Sequence, residues 1–286
     1  MDEITVQAPA KLNLTLDVLG RRADGYHDLK MVMQSITLAD DLALEDNGTG
    51  EIRVRSNLAF LPGGDKNLAV KAALCFYRTL GREPRGLDIS LDKHVPVCAG
   101  MAGGSSDAAA VLRALNGLEG QPFTREELAR VGEQVGSDVP YCVLGCTALA
   151  EGRGERLTPL TSLPQCWVVV CKPDFPISTP ELFAKIDGCK VRRRPDTDGV
   201  LAALEAGDLA GVARRMYNVF EDVLPDRQRI RVADIKNVLI QQGALGANMS
   251  GTGPTAFGLF EREEAAKAAY DLLSQHYRET FLARTV

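Results

Sequence analysis

The chain has 286 residues, 45% hydrophobic and 25% charged, with a formal net charge of −5, which suits an ordinary globular protein of two domains or one large one. The acidic balance excludes a general nucleic-acid coat, and no stretch approaches the roughly 20 apolar residues of a membrane span. The start, MDEITVQAPAKLNL, carries acid where a secretory signal carries base, and seven scattered cysteines without a C-x-x-C pair exclude a disulfide framework.

The chain therefore reads as soluble and cytoplasmic. With only His27, His94 and His276 available, a His/Cys metal cage is disfavoured, and the thiols read as small buried hydrophobes. From Lys11 to Val18 apolar and polar residues alternate, which predicts a half-buried strand. Asp24-Gly25 is a turn dipeptide, and Leu29 to Leu38 is a returning strand. Leu42 to Glu45 and Glu51 to Arg55 suggest a further short pair around DNGTG. An amphipathic helix over 68–80 should stop at Gly81, followed by a strand over 87–93. A glycine-rich stretch, 96–107, leads into an Ala/Leu helix, and Thr124 with Glu127 forms a capping box. TPLTSLPQ (158–165) reads as a boundary, and WVVVC (167–171) as a buried strand. Thr179-Pro180 looks like an N-cap followed by proline at the first helical position. Helical patterns then cover about 198–223, 229–242 and 263–277, with a second glycine cluster at 248–260. The basic runs at 190–194 and 226–231 read as solvated surface, or as local attraction for an anionic substrate. Helices mixed with antiparallel strands indicate an α+β fold.

The strongest chemical signal is PVCAGMAGGSSD. Gly100, Gly103 and Gly104 precede Ser105, Ser106 and an uninterrupted helix, so backbone N–H groups and the positive helix end can face a bulky anion. The stretch is neither a Walker A loop nor a G-x-G-x-x-G fingerprint. It contains no lysine, so the neutralising charge is expected from the helix end and from magnesium. The plain alternative is a capping loop with Ser105 as the N-cap.

Three segments occur in order: AKLNL with RADGYH, then PVCAGMAGGSSDAA, then NMSGTGPTAFGLF. Together with GSDVP (136–140) they resemble the GHMP kinase superfamily over about residues 5–260. Met101 and Ala102 replace a leucine and a glycine common in that family's loop, and Cys98 stands where small residues are usual. The resemblance implies a ribosomal-protein-S5-domain-2-like N-terminal domain, 1–163, that binds ATP, and a ferredoxin-like substrate-side domain, 164–286. It implies ATP-dependent phosphorylation of the 2-hydroxyl of 4-diphosphocytidyl-2-C-methyl-D-erythritol, in the non-mevalonate route to isoprenoid precursors.

By the same resemblance Asp138 accepts the proton of the attacking hydroxyl, with Lys11 as its cationic partner. The ATP site comprises Pro96, Val97, Cys98, Ala99, Gly100, Met101, Ala102, Gly103, Gly104, Ser105 and Ser106. Magnesium comes mainly through the ATP phosphates, with no protein ligand assigned. Asn13, Tyr26, His27, Phe183, Gly251 and Gly253 fall on the substrate side, Tyr26 and Phe183 closing on a cytosine ring. Residue by residue, plainer readings stand beside these: Asp138 as an N-cap, Lys11 as an exposed strand lysine, Phe183 as core, Gly251 and Gly253 as a hairpin turn. Other family members act on homoserine, mevalonate or sugars, which present no base to sandwich. A noncatalytic RNA-binding module fits poorly, for want of a basic aromatic platform. The expected partner is a small molecule, not nucleic acid or membrane, and the expected state a monomer or weak homodimer.

Overall fold

The computed structural model describes residues 3–286. It divides into two compact units with interleaved segments. Unit one takes residues through Ala10, then Ala39–Val97 and Ala102–Gly145; unit two takes Lys11–Leu38, Cys98–Met101 and Cys146–Val286. The boundary expected at 163/164 falls inside unit two. The strands β1 (Ile4–Arg21) and β2 (His27–Glu45) contribute residues to both units.

In unit one, β3 (Ile52–Ser56), α1 (Leu68–Leu80) and β4 (Leu87–Asp92) follow β2. β4 runs antiparallel to residues 41–45 of β2 and parallel to β3. The short pair expected around DNGTG is thus not formed: 42–45 continues β2, and β4 lies between it and β3. The reason is burial. Leu87, Ile89 and Leu91 of β4 are at most 3% exposed, whereas Ile52 and Val54 of β3 are only half-buried, so the more buried strand takes the inner place beside β2, and the β3–β4 crossover runs through α1. α1 has the predicted bounds, with the Asn67 side chain accepting the Ala69 amide at 2.9 Å and Gly81 left-handed. Next come α2 (Gly103–Leu118), α3 (Arg125–Glu133) and α4 (Val139–Leu144). α3 starts at the predicted Thr124–Glu127 capping box.

In unit two, β5 (Thr147–Gly152) is antiparallel to residues 29–34 of β2 and to β6 (Arg156–Pro159). A second sheet contains β7 (Trp167–Lys172), and the helix α5 (Thr179–Asp187) follows it. The N-cap of α5 is Ser178, one residue earlier than expected, its hydroxyl accepting the Glu181 amide. The pattern predicted over 198–223 splits into α6 (Thr197–Glu205), α7 (Leu209–Arg215), the two-residue β8 (Tyr217–Asn218) and a 3₁₀ turn, Val219–Val223. Left-handed Gly207 ends the first helix, and Asp208 caps the second through the Gly211 amide at 2.8 Å. After α8 (Asp226–Gln241) come β9 (Gly246–Met249), β10 (Ala256–Phe260), α9 (Glu263–Ser274) and β11 (Glu279–Arg284). The second sheet is antiparallel in the order β11-β7-β10-β9. Val168–Cys171 of β7 are fully buried, as the apolar run predicts.

β1 departs from its expected half-buried form. Lys11, Asn13, Thr15 and Asp17, its polar face, are all at most 6% exposed, because unit two covers that face. The Asn248 side chain donates to the Asn13 and Leu14 carbonyls, Thr15 Oγ1 accepts the Val32 amide, and Arg194 bonds Asp17 at 2.6 Å. The basic run at 190–194 is therefore partly structural, and Arg193 also lies over the Tyr217 ring. Among the cysteines, Cys75, Cys142, Cys166 and Cys171 are buried as expected, whereas Cys98, Cys146 and Cys189 are exposed. Burial pushes the Cys166 thiol up to about 11. No helix among the described residues is long and apolar enough to cross a membrane.

Candidate functional site

In unit one the glycine loop delivers the start of α2. Ala102 is its N-cap residue, left-handed at φ 56°, and its carbonyl accepts the Ser106 amide at 2.8 Å. The amides of Gly103, Gly104 and Ser105 precede the first intrahelical bond, and among the described residues no group accepts them. They form three donors at the positive end of a 16-residue helix, the geometry of an oxyanion or phosphate cradle. Alanine in the left-handed region costs about 1 kcal/mol relative to glycine, so Ala102 keeps a glycine conformation at a strain cost. Ser105 is not the N-cap, and the buried Ser106 gives its hydroxyl to the Pro9 carbonyl at 2.7 Å.

Behind this turn lies a charge cluster that the sequence did not reveal. Lys93 Nζ bonds the Asp40 carboxylate and, at 2.7 Å, Asp107 Oδ2. Asp40 Oδ1 accepts the amides of His94 and Val95 at 2.6 and 2.7 Å. A lysine thus does stand beside the cradle, but two carboxylates balance it. Asp107 Oδ1 is buried without a partner, and burial raises the carboxyl to about 7, with Lys93 pulling it down and Asp40 pushing it up. In the sequence Asp40 falls between two predicted strands, which the structure joins into β2, and Asp107 heads an Ala-rich helix; nothing there brings either to Lys93.

Asp138 stands at the N-cap position of α4. Its backbone is helical at φ −85°, ψ −13°, its side chain makes no capping bond, and it is half-buried. The plain N-cap reading fails, because helical φ/ψ turns the carboxylate away from the first-turn amides.

In unit two, Lys11, Asn13 and the two glycine segments form one hydrogen-bonded knot. Lys11 is 4% exposed, and its ammonium donates to Asn13 Oδ1 at 2.6 Å. The exposed-lysine reading is therefore wrong. No carboxylate of the unit pairs with this buried cation, which leaves it suited to an anion. Asn13 Oδ1 also accepts the Gly251 amide at 2.9 Å, and the Asn13 amide donates to Ser250 Oγ at 3.3 Å. Ser250 Oγ donates in turn to the Gly100 carbonyl at 2.9 Å, and the Lys11 amide to the Met101 carbonyl at 3.1 Å. Gly100 is left-handed, and a Cβ there would fall 2.1 Å from the Ser250 carbonyl oxygen. Gly253 donates its amide to the Ser250 carbonyl at 2.9 Å. Gly251 and Gly253 thus spend their amides on the scaffold, and neither offers an N–H to a phosphate.

Tyr26 is 59% exposed on the β1–β2 turn, with the Arg153 guanidinium 5.4 Å from its ring centre. His27, 9% exposed, stacks on Phe183 at 4.4 Å and 24°. Phe183, on the second turn of α5, also meets Phe220 edge-on at 5.0 Å. Phe183 is half-buried, so it is neither plain core nor an open platform: the His27 ring already occupies one of its faces.

Two family models match the chain, the GHMP kinases N terminal domain over residues 67–146 and the GHMP kinases C terminal over 200–279. The chain belongs to the GHMP kinase family. The first model spans the cradle and Asp138. The 4-diphosphocytidyl-2-C-methyl-D-erythritol kinase of Alkaliphilus metalliredigens is 42% identical to this GHMP kinase over 285 residues, covering 100% of the chain and 97% of the relative. A crystal structure of 4-(cytidine 5'-diphospho)-2C-methyl-D-erythritol kinase superposes with a TM-score of 0.81 at 32% identity, covering 99% of each chain. A homoserine kinase from Cytophaga hutchinsonii shares the fold, with a TM-score of 0.78 at 20% identity over 100% of this chain and 95% of that one.

Proposed function

We propose that this kinase transfers the γ-phosphoryl group of ATP to the 2-hydroxyl of 4-diphosphocytidyl-2-C-methyl-D-erythritol. The observation that carries the phosphoryl-transfer reading is the set of three unpartnered amides at Gly103, Gly104 and Ser105. The names of relatives 42% identical over 97% of their own length supply the acceptor. In this reading the amides hold phosphate oxygens that gain charge during transfer. Asp138 takes the hydroxyl proton as the oxygen–phosphorus bond forms and the bond to the departing ADP breaks. Lys11 stabilises the charge on the transferring group, and Asn13 fixes its ammonium. Tyr26, His27 and Phe183 receive the cytosine. The enzyme works in the cytoplasm on a small molecule, as a monomer or weak homodimer.

Magnesium fits as an ion carried by the nucleotide. No group of three His, Cys, Asp or Glu side chains among the described residues is arranged to hold a cation. Asp107 has a free oxygen, but the Lys93 ammonium on the same carboxyl makes it a poor neighbour for a second cation. Ser105 is the residue that would offer a hydroxyl, and the ion supplies charge neutralisation between phosphates.

Purified protein should release ADP only when both the cytidyl acceptor and magnesium are present; ADP release with homoserine or mevalonate instead would reassign the acceptor. Asp138→Asn should lower kcat about 100-fold with KM for ATP little changed, the magnitude of a lost general base. Near-normal turnover would remove Asp138 from the mechanism.

A further inference from the structure

The His27 imidazole is constrained in two independent ways within unit two. Stacking on Phe183, itself backed by Phe220, sets the ring plane. A 2.7 Å hydrogen bond from Nε2 to Asp187 Oδ1 sets its rotation within that plane. Asp187 is the last residue of α5, and its other oxygen lies 4.0 Å from the Arg21 guanidinium. An ionised carboxylate only accepts hydrogen bonds, so Nε2 must carry the proton. In the neutral ring Nδ1 is then a lone-pair acceptor, and among the described residues it has no partner.

We propose that Asp187 is a positioning residue for base specificity: by holding the His27 proton on Nε2, it leaves Nδ1 to accept the exocyclic amine of cytosine and to reject uracil. This rests on the cytidine reading above. Cytosine carries an N–H₂ donor at the ring position where uracil carries a carbonyl oxygen. Against an acceptor fixed at Nδ1 the first forms a hydrogen bond, and the second sets lone pair against lone pair. Buried sites built on such a bond discriminate strongly against the analogue that lacks it. Without the carboxylate the imidazole can move its proton to Nδ1, and the discrimination goes.

The experiment titrates the full chain with CMP and with UMP by calorimetry, in wild type, Asp187→Ala and Asp187→Asn. The wild type should favour CMP by at least about tenfold. Asp187→Ala should narrow that ratio to below about threefold, with kcat at saturating acceptor changed less than about threefold. Asp187→Asn should keep the preference, because its Oδ1 can accept the same Nε2–H. ¹⁵N spectra of His27 should show the Nε2–H tautomer in wild type and a mixture in Asp187→Ala. A wild type that binds neither nucleotide would sink the cytidine reading, and this inference with it. A wild type that prefers CMP while Asp187→Ala keeps the same preference would overturn the inference alone, as would equal binding of CMP and UMP by wild type.

Discussion

The two glycine clusters look alike as text and behave oppositely in space. GMAGGSSD leaves the amides of Gly103, Gly104 and Ser105 without acceptors, whereas SGTGPT spends the amides of Gly251 and Gly253 on Asn13 and Ser250. Glycine permits close approach of something to a backbone. In the first cluster the proposed answer is a ligand, because a helix start follows and the amides of Gly103, Gly104 and Ser105 have no acceptor among the described residues. In the second it is another stretch of backbone, since a Cβ at Gly251 would sit 2.8 Å from the Gly100 carbonyl oxygen. Gly100 belongs by sequence to the first cluster and by packing to the second.

That contrast can be broken most forcefully at Gly100. Gly100→Ala combines a left-handed φ of 73° with a Cβ 2.1 Å from backbone, and should cost about 3–5 kcal/mol in urea unfolding. A loss below 1 kcal/mol would show that the packed cluster is not packed. A gentler substitution probes the open cluster. Gly104→Pro deletes one cradle donor at a first-turn position that tolerates proline, and a Cβ there meets nothing closer than Leu68 at 3.5 Å. Stability should change by less than about 1 kcal/mol while KM for ATP rises about tenfold; an unchanged KM would mean the amide faces no phosphate.

The smallest effect concerns the charge behind the cradle. Asp107 titrates near 7 in the fold, against a reference of 3.8. Between those values the folded state binds the extra proton, so this group's contribution to stability is largest below pH 4 and is lost as pH rises to about 7. Asp107→Asn, which does not titrate, should therefore gain on wild type by about 1 kcal/mol or more between pH 5 and pH 8. Parallel stability profiles of the two proteins would show that Asp107 holds no such proton.

Much of this molecule was legible beforehand, where the cause is local. The helix over 68–80, its Gly81 stop, the Thr124 capping box and the buried β7 follow from propensity, caps and apolar runs that act over a few residues. So did the helix start behind the glycines, where the amides of Gly103, Gly104 and Ser105 are left without acceptors. The order and spacing of AKLNL, RADGYH, AGGSSD and GSDVP carried the family. Strand order was hidden, because β4 enters between β2 and β3 from more than thirty residues along the chain. Also hidden were the burial of Lys11 on a strand face that alternation alone leaves to solvent, the Lys93–Asp40–Asp107 cluster, and the Asp187 partner of His27. Each depends on which distant residues cover a surface, and desolvation and pairing are decided by neighbours in space.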